Sequence, residues 1–155
     1  RCKTGCGMTG NKNSEQCLEE LERYCLHNGL RLTDPRKSTL QVIAGSEKPV
    51  GAYDIIEEIG KTTEKPKPTT VYRAIDFLQE HGFIHKIESL NAFVTCHAGH
   101  THDGSQFMVC DDCGTVNEIH LCHLPQALKD QIQGTGFDFN HWNAEIHGRC
   151  NSCQK

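Results

Sequence analysis

The chain has 155 residues, 36% of them hydrophobic, and a formal net charge of −4. No apolar run approaches the roughly 18 residues of a membrane span, and the N-terminus lacks the apolar core of a secretory leader, so one or two small domains in a reducing cytosol are expected. The charge is uneven: residues 1–91 are neutral, residues 92–155 carry −4, and residues 23–73 hold nine basic against six acidic side chains, so the whole-chain charge does not exclude a polyanionic partner.

In chain order, "NSEQCLEELERYCLHNG" carries Leu18, Leu21 and Cys25 at helical spacing and stops at Gly29, a residue suited to the left-handed position after a helix. "LTDPRKSTLQVIAG" opens with Thr33 or Asp34 as N-cap, has Pro35 at the first helical position and ends at Gly45. "GAYDIIEEIG" sets Ala52, Ile55, Ile56 and Ile59 on one stripe. The prolines of "KPKPTTVYRAIDFLQEHG" push its helix start to Thr69 as N-cap, with the end at Gly82. Val71, Ile75 and Leu78 then face inward, and Tyr72, Arg73 and Asp76 outward. "FIHKIES" and "NAFVTC" form a hairpin about a Leu90–Asn91 turn.

Four short helices and a hairpin are the plan of a winged helix-turn-helix over 14–96, a plan other small α+β domains share. The fourth helix opens with Thr69, Thr70, Tyr72 and Arg73, donors at the end that would enter a major groove, although an ordinary solvated face has the same pattern. "HAGHTHDGSQ" reads as a hinge loop, set at 97–105. Beyond it "QFMVC", "TVNEI", a helix from Leu124 or Pro125 to Gln133 and an alternating strand "FDFNHWNAEI" give a small α/β domain over 106–155. The fold class is therefore α+β in two domains.

Ten Cys and ten His are a heavy load for this length. Cys110, Cys113, Cys150 and Cys153 form two Cys-x-x-Cys pairs, each able to turn two thiolates toward one metal. Four thiolates close a tetrahedron and leave no open position, so the set reads as structural zinc and not as catalysis. Such a site contributes roughly 10–16 kcal/mol of apparent metal-linked folding energy. His85, Cys96, His100, His102 and Glu118 make a second, less regular set drawn from hairpin, hinge and following strand. Spacing alone also fits scattered surface histidines and one buried thiol. Their location would let a metal fix the angle between domains, and imidazole with thiolate and carboxylate suits Zn²⁺. Cys17 and Cys25 read as core, and His97, His120, Cys122, His123, His141 and His147 as surface or packing.

The stretches "LRLTDPR", "AYDII", "KPTTVYRAIDFLQEHGFIHKIES", "VTCH", "CDDCGTVNE" and "HGRCNSC" resemble the ferric uptake regulator superfamily, and within it the zinc uptake regulator branch of Gram-negative bacteria. The resemblance implies a cytoplasmic homodimeric repressor with a winged-helix reader and a C-terminal dimerisation domain. It implies two zinc ions per subunit, binding to operator double-stranded DNA in the zinc-loaded form, repression of zinc uptake genes, and no organic cofactor. It assigns structural zinc to Cys110, Cys113, Cys150 and Cys153, and regulatory zinc to His85, Cys96, His102 and Glu118, with His100 in reserve because one inserted residue must be assumed. Tyr53, Tyr72 and Arg73 match the family's DNA-contacting positions, and Lys67 and Thr70 are phosphate contacts by position and charge. The chain departs from the branches that sense iron, manganese or peroxide, which carry a histidine cluster where it has "GSQFMVC". Pro125 stands where some members have a further Glu ligand. The alternatives are an iron- or peroxide-sensing regulator and a zinc module with no DNA role. A zinc deaminase is excluded, since Val109 and Arg149 precede the Cys pairs where Pro is required.

Overall fold

The computed structural model describes residues 13–96, 104–119, 121 and 123–155. Residues 13–96 form one compact unit and residues 104–155 another. The first holds α1 (Ser14–His27), α2 (Asp34–Ala44), α3 (Ala52–Thr62), α4 (Pro68–Glu80), β1 (Ile84–Ile87) and β2 (Ala92–Thr95). The second holds β3 (Gln106–Cys110), β4 (Val116–Ile119), α5 (Gln126–Ile132) and β5 (Ala144–Gly148).

The helices of the first unit pack by their apolar stripes. Leu21 of α1, Leu40 of α2, Ile55 of α3, Val71 and Leu78 of α4 and Ile84 of β1 are fully buried in one cluster, and each such side chain contributes about 1.5–3 kcal/mol by leaving water. Cys17 and Cys25 are buried there too. α1 and α4 end alike. Leu30 N–H donates to the Cys25 carbonyl (2.8 Å) and Phe83 N–H to the Leu78 carbonyl (2.8 Å), each bond spanning a left-handed glycine, Gly29 (φ 64°) and Gly82 (φ 75°). The helix starts differ from expectation. Pro68, not Thr69, opens α4, with Lys67 as N-cap, because a first-turn residue has no intrahelical use for its N–H. Pro35 falls at the second position of α2, and Thr33 caps by backbone shape alone.

The hairpin follows α4 at once. β1 and β2 pair antiparallel, His85 opposite Val94 and Lys86 opposite Phe93. A short 3-10 turn, Glu88–Leu90, and Asn91 in the left-handed region (φ 47°) close it. Val50 and Phe93 exchange two backbone bonds (3.0 and 2.9 Å), tying the hairpin to the α2–α3 link. At its base the Tyr24 hydroxyl shares a hydrogen bond with His81 Nδ1 (3.1 Å), His81 packs on Phe77, and the Arg36 guanidinium lies 3.5 Å from the centre of that ring. Three helices thus grip the residues from which the hairpin departs.

In the second unit the sheet order is β4-β3-β5, with β3–β4 antiparallel and β3–β5 parallel. The strand expected from Phe137 begins only at Ala144. Gly134 and Gly136 turn the chain through positive φ, and pairing with β3 starts where Ala144 N–H meets the Ser105 carbonyl (3.0 Å). Gly104 is obligatory: a Cβ there would lie 1.6 Å from the Trp142 carbonyl oxygen. The buried residues described in this unit are only Gln106, Phe107, Val109, Cys110 and Leu124. No helix among the described residues is long and apolar enough to cross a membrane.

Gly82 offers a test of the α4 terminus. A Cβ at this position meets nothing within 4 Å, so the cost of replacing it is conformational alone. Gly82→Ala is expected to lower unfolding free energy in urea by about 1–2 kcal/mol, and Gly82→Asn by clearly less, since Asn tolerates the left-handed region. Equal losses for both would mean that the terminus is not held as described.

Candidate metal centres and nucleic-acid interface

The four-cysteine set is built by strand register. β3 ends in Cys110, and its parallel neighbour puts Gly148 opposite, so Cys150 emerges beside it. The turn after Cys110 closes through Gly114 N–H to the Cys110 carbonyl (2.9 Å) and Cys110 N–H to the Thr115 carbonyl (2.9 Å), with Gly114 at φ 72°. Asp111 N–H to the Gly148 carbonyl (2.8 Å) locks this turn to β5, and Cys153 N–H to the Cys150 carbonyl (2.9 Å) folds the second pair. The four sulfur atoms all lie within 4.8 Å of one another, and none is in a disulfide. Tetrahedral Zn–S bonds of about 2.3 Å require neighbouring sulfurs about 3.8 Å apart, and Cys113 and Cys150 stand at 3.7 Å. The donor set and its spacing fit a tetrahedral thiophilic ion.

The surroundings prepare these thiols unequally. The Cys150 N–H, 3.3 Å from Cys110 Sγ, and then the Cys113 N–H bring the Cys110 thiol down to about 6. The Cys113 thiol donates to the Thr115 hydroxyl (3.1 Å), which turns to donate once the thiol ionises and so lowers Cys113. Cys153, beside the sulfurs of Cys150 and Cys113, is pushed up to about 12. A divalent cation removes that conflict, since it stabilises all four as thiolates.

On the hairpin, His85 sits on β1 and Cys96 directly after β2, both half-buried, with ligand atoms within 4.8 Å of each other. Cys96 N–H donates to the Phe83 carbonyl (2.9 Å), so the thiol is anchored at the C-terminal end of α4. Glu118 stands half-buried on β4 of the other unit. His102 and His100 lie outside the described residues, as do His97, His120 and Cys122.

The α4 helix divides by face. Val71, Ala74, Ile75, Phe77 and Leu78 are buried, while Thr69, Tyr72, Arg73 and Asp76 are exposed. Lys67 is exposed at the N-cap and Thr70 half-buried behind it. Tyr53, at the start of α3, is 79% exposed. Tyr53 and Tyr72 line one cleft of about 380 Å³ between the start of α3, α4 and the hairpin. The five candidate contacts therefore belong to the outward side of α3 and α4, where none supports the core.

Two supports at the thiol set went unread in the sequence. Thr115 is one, since a hydroxyl two residues from a cysteine carries no motif. His147 is the other. Its Nδ1 lies 3.0 Å from Asp111 and its Nε2 3.3 Å from Glu145, and the Asp111 contact chiefly raises its pKa. It braces β5 against the turn that carries Cys113.

Residues 27–147 match the ferric uptake regulator family. The chain is 34% identical over 142 residues to the zinc uptake regulation protein of Escherichia coli strain K12, across 90% of this chain and 82% of that one. Among solved structures it is similar to a zinc uptake regulator complexed with zinc and DNA, with 34% identity, a TM-score of 0.79, and coverage of 92% of this chain and 96% of that one. It is also similar to holo XcZur, with 37% identity, a TM-score of 0.78, and coverage of 88% and 96%.

If Thr115 supports the Cys113 thiolate, Thr115→Val should weaken metal retention by the four-cysteine set about 10- to 100-fold, the usual effect of losing an outer hydrogen bond. Thr115→Ser should restore it. Competition with a chromophoric chelator reads the difference, and wild-type retention in Thr115→Val would remove Thr115 from the site.

Proposed function

The chain belongs to the ferric uptake regulator family, and on that premise we propose that it is a zinc-responsive transcriptional repressor, a regulator and not an enzyme. It binds operator double-stranded DNA as a zinc-loaded homodimer and represses zinc uptake genes. In this reading 14–96 is the DNA-reading domain, 97–105 the hinge and 106–155 the dimerisation domain. Each subunit holds two zinc ions. One is structural, in Cys110, Cys113, Cys150 and Cys153. The other is regulatory, in His85, Cys96, His102 and Glu118.

The observation that carries the reading is the thiol of Cys96 beside the imidazole of His85, on the hairpin that directly follows the exposed face of α4. A thiolate with imidazole favours zinc over the harder ions that carboxylate and imidazole alone would take. The similarity to zinc uptake regulators across nine-tenths of the chain supports the same metal.

Zinc supplies no reaction here; it supplies a joint. A ligand set shared by hairpin, hinge and dimerisation domain fixes the reader relative to the dimer. Half-sites on B-DNA lie about 34–36 Å apart per helical turn, so one separation of the two α4 helices fits both. Tyr53, Tyr72 and Arg73 then meet base edges, and Lys67 and Thr70 meet phosphates. Without regulatory zinc the competent separation is a minor population. At ~1% its apparent affinity falls about 100-fold, and by linkage operator DNA tightens regulatory zinc by the same factor.

Cys96→Ser is expected to keep the structural metal, remain dimeric and lose this zinc stimulation of operator binding. Zinc titration followed by DNA fluorescence anisotropy, with metal content measured alongside, checks all three. Undiminished zinc stimulation in the variant would take Cys96 out of the regulatory set and with it the argument for zinc over iron.

A further inference from the structure

Asp76 is unaccounted for by anything above. It stands ninth of the thirteen residues of α4, fully on the outward face. Asp is a poor helix-interior residue, because its short carboxylate competes for backbone groups, and only near a helix start does its charge favour the helix. It is too far along α4 to cap the helix. Arg73, three residues before it, is near enough to neutralise it, yet among the described residues neither is in an ion pair. Some neighbouring acids are engaged, although among the described residues Glu80, one turn further along α4, is in no ion pair either. Glu58 pairs with Lys61 (2.6 Å) and Glu88 with Lys86 (3.3 Å). Asp54 is in the first turn of α3, where its charge favours the helix. Asp76 shares the lack of an ion pair with Glu80, but Asp76 alone stands in the middle of the outward stripe that the proposed function turns toward DNA.

Its position explains the charge. Thr69, Tyr72, Arg73 and Asp76 have spacings of 3, 1 and 3, which puts them on one stripe of the helix. The base-reading residues of the homeodomain recognition helix have the same spacings. Along the axis Arg73 and Asp76 are about 4.5 Å apart, against about 3.4 Å between base pairs. Asp76 also lines the cleft that holds Tyr53 and Tyr72. An ionised carboxylate only accepts hydrogen bonds. In the major groove the donors are the amino groups of cytosine and adenine, and a carboxylate characteristically takes that of cytosine. Guanine and thymine present acceptor oxygens, which repel it.

We propose that Asp76 is a specificity-determining residue of the operator interface. It reads a cytosine about one base-pair step from the base met by Arg73, whose guanidinium suits the O6 and N7 of guanine, and it rejects guanine and thymine there by charge. This rests on the reading of α4 as the DNA-recognition helix. Arg73 supplies attraction as well as readout. Asp76 supplies readout at the expense of general affinity, so the two variants should differ in kind.

The test uses zinc-loaded full-length dimers of wild type, Asp76→Asn and Arg73→Ala. A randomised duplex library is first selected with wild type. Every single base change in the selected site is then measured by anisotropy at one salt concentration. Asp76→Asn should lose its cytosine preference at one position per half-site, with discrimination there falling about 5- to 150-fold, and should accept adenine, whose N6 and N7 suit an amide. Its affinity for unrelated duplex should rise. Arg73→Ala should relax a neighbouring guanine position and bind all duplexes more weakly. If Asp76→Asn binds every duplex more tightly with no altered base preference, Asp76 only repels phosphate and the assignment is overturned alone. If wild type enriches no duplex with zinc, the repressor reading falls and takes this assignment with it.

Discussion

Four thiols cannot all ionise within 4.8 Å of one another unless a cation stands among them. The second unit is built around that conflict. Its described interior is Phe107, Val109, Leu124 and Cys110 with the Gln106 side chain, too little apolar area to hold three strands and a seven-residue helix by burial alone. The β3–β5 register and the two tight turns bring the sulfurs together, yet Cys110 sits near 6 while Cys153 is driven to about 12. A metal ion held there would turn this repulsion into the strongest cross-link in the unit. Everything that braces the turns, from Thr115 to His147 between Asp111 and Glu145, serves that arrangement.

The first unit needs no such device. Its helices share a full apolar cluster, and its rigidity is passed outward through backbone bonds. The left-handed Gly82 reverses the chain so that Phe83 N–H reaches Leu78, and the Phe83 carbonyl then receives Cys96 N–H. The proposed sensing thiol and the proposed reading helix are thus one hydrogen-bonded residue apart. On that reading, a metal that pulls on Cys96 pulls on the C-terminal end of α4, with little slack between them.

What could be read from sequence follows from which forces act locally. The ends of α1 and α4 were legible because a glycine in the left-handed region is nearly the only cheap way to stop a helix. The fourth helix was expected from Thr69 and begins at Pro68, because proline was counted as a breaker where it is tolerated as a first residue. The last strand was expected from Phe137 and begins at Ala144: alternation from 137 to 146 marks a chain able to pair, and only 144–148 are paired with β3. The four cysteines were legible because the spacing of each pair is a property of one turn. Thr115 was not, since it matters through a hydrogen bond across a turn, which leaves no pattern in the string of letters. Asp76 was legible as an outward residue, but its lack of an ion pair was not.

The parallel pairing of β3 with β5 also has a consequence for biosynthesis. Cys110 and Cys113 belong to a site whose other half, Cys150 and Cys153, lies forty residues on. At about 5–20 residues per second, the ribosome needs about 2–8 s to deliver the second pair after the first. Throughout that interval two thiols have neither their strand partner nor the Cys150 N–H that chiefly lowers Cys110. The nascent chain therefore has a brief redox-sensitive period while the first unit, already synthesised, is free to fold.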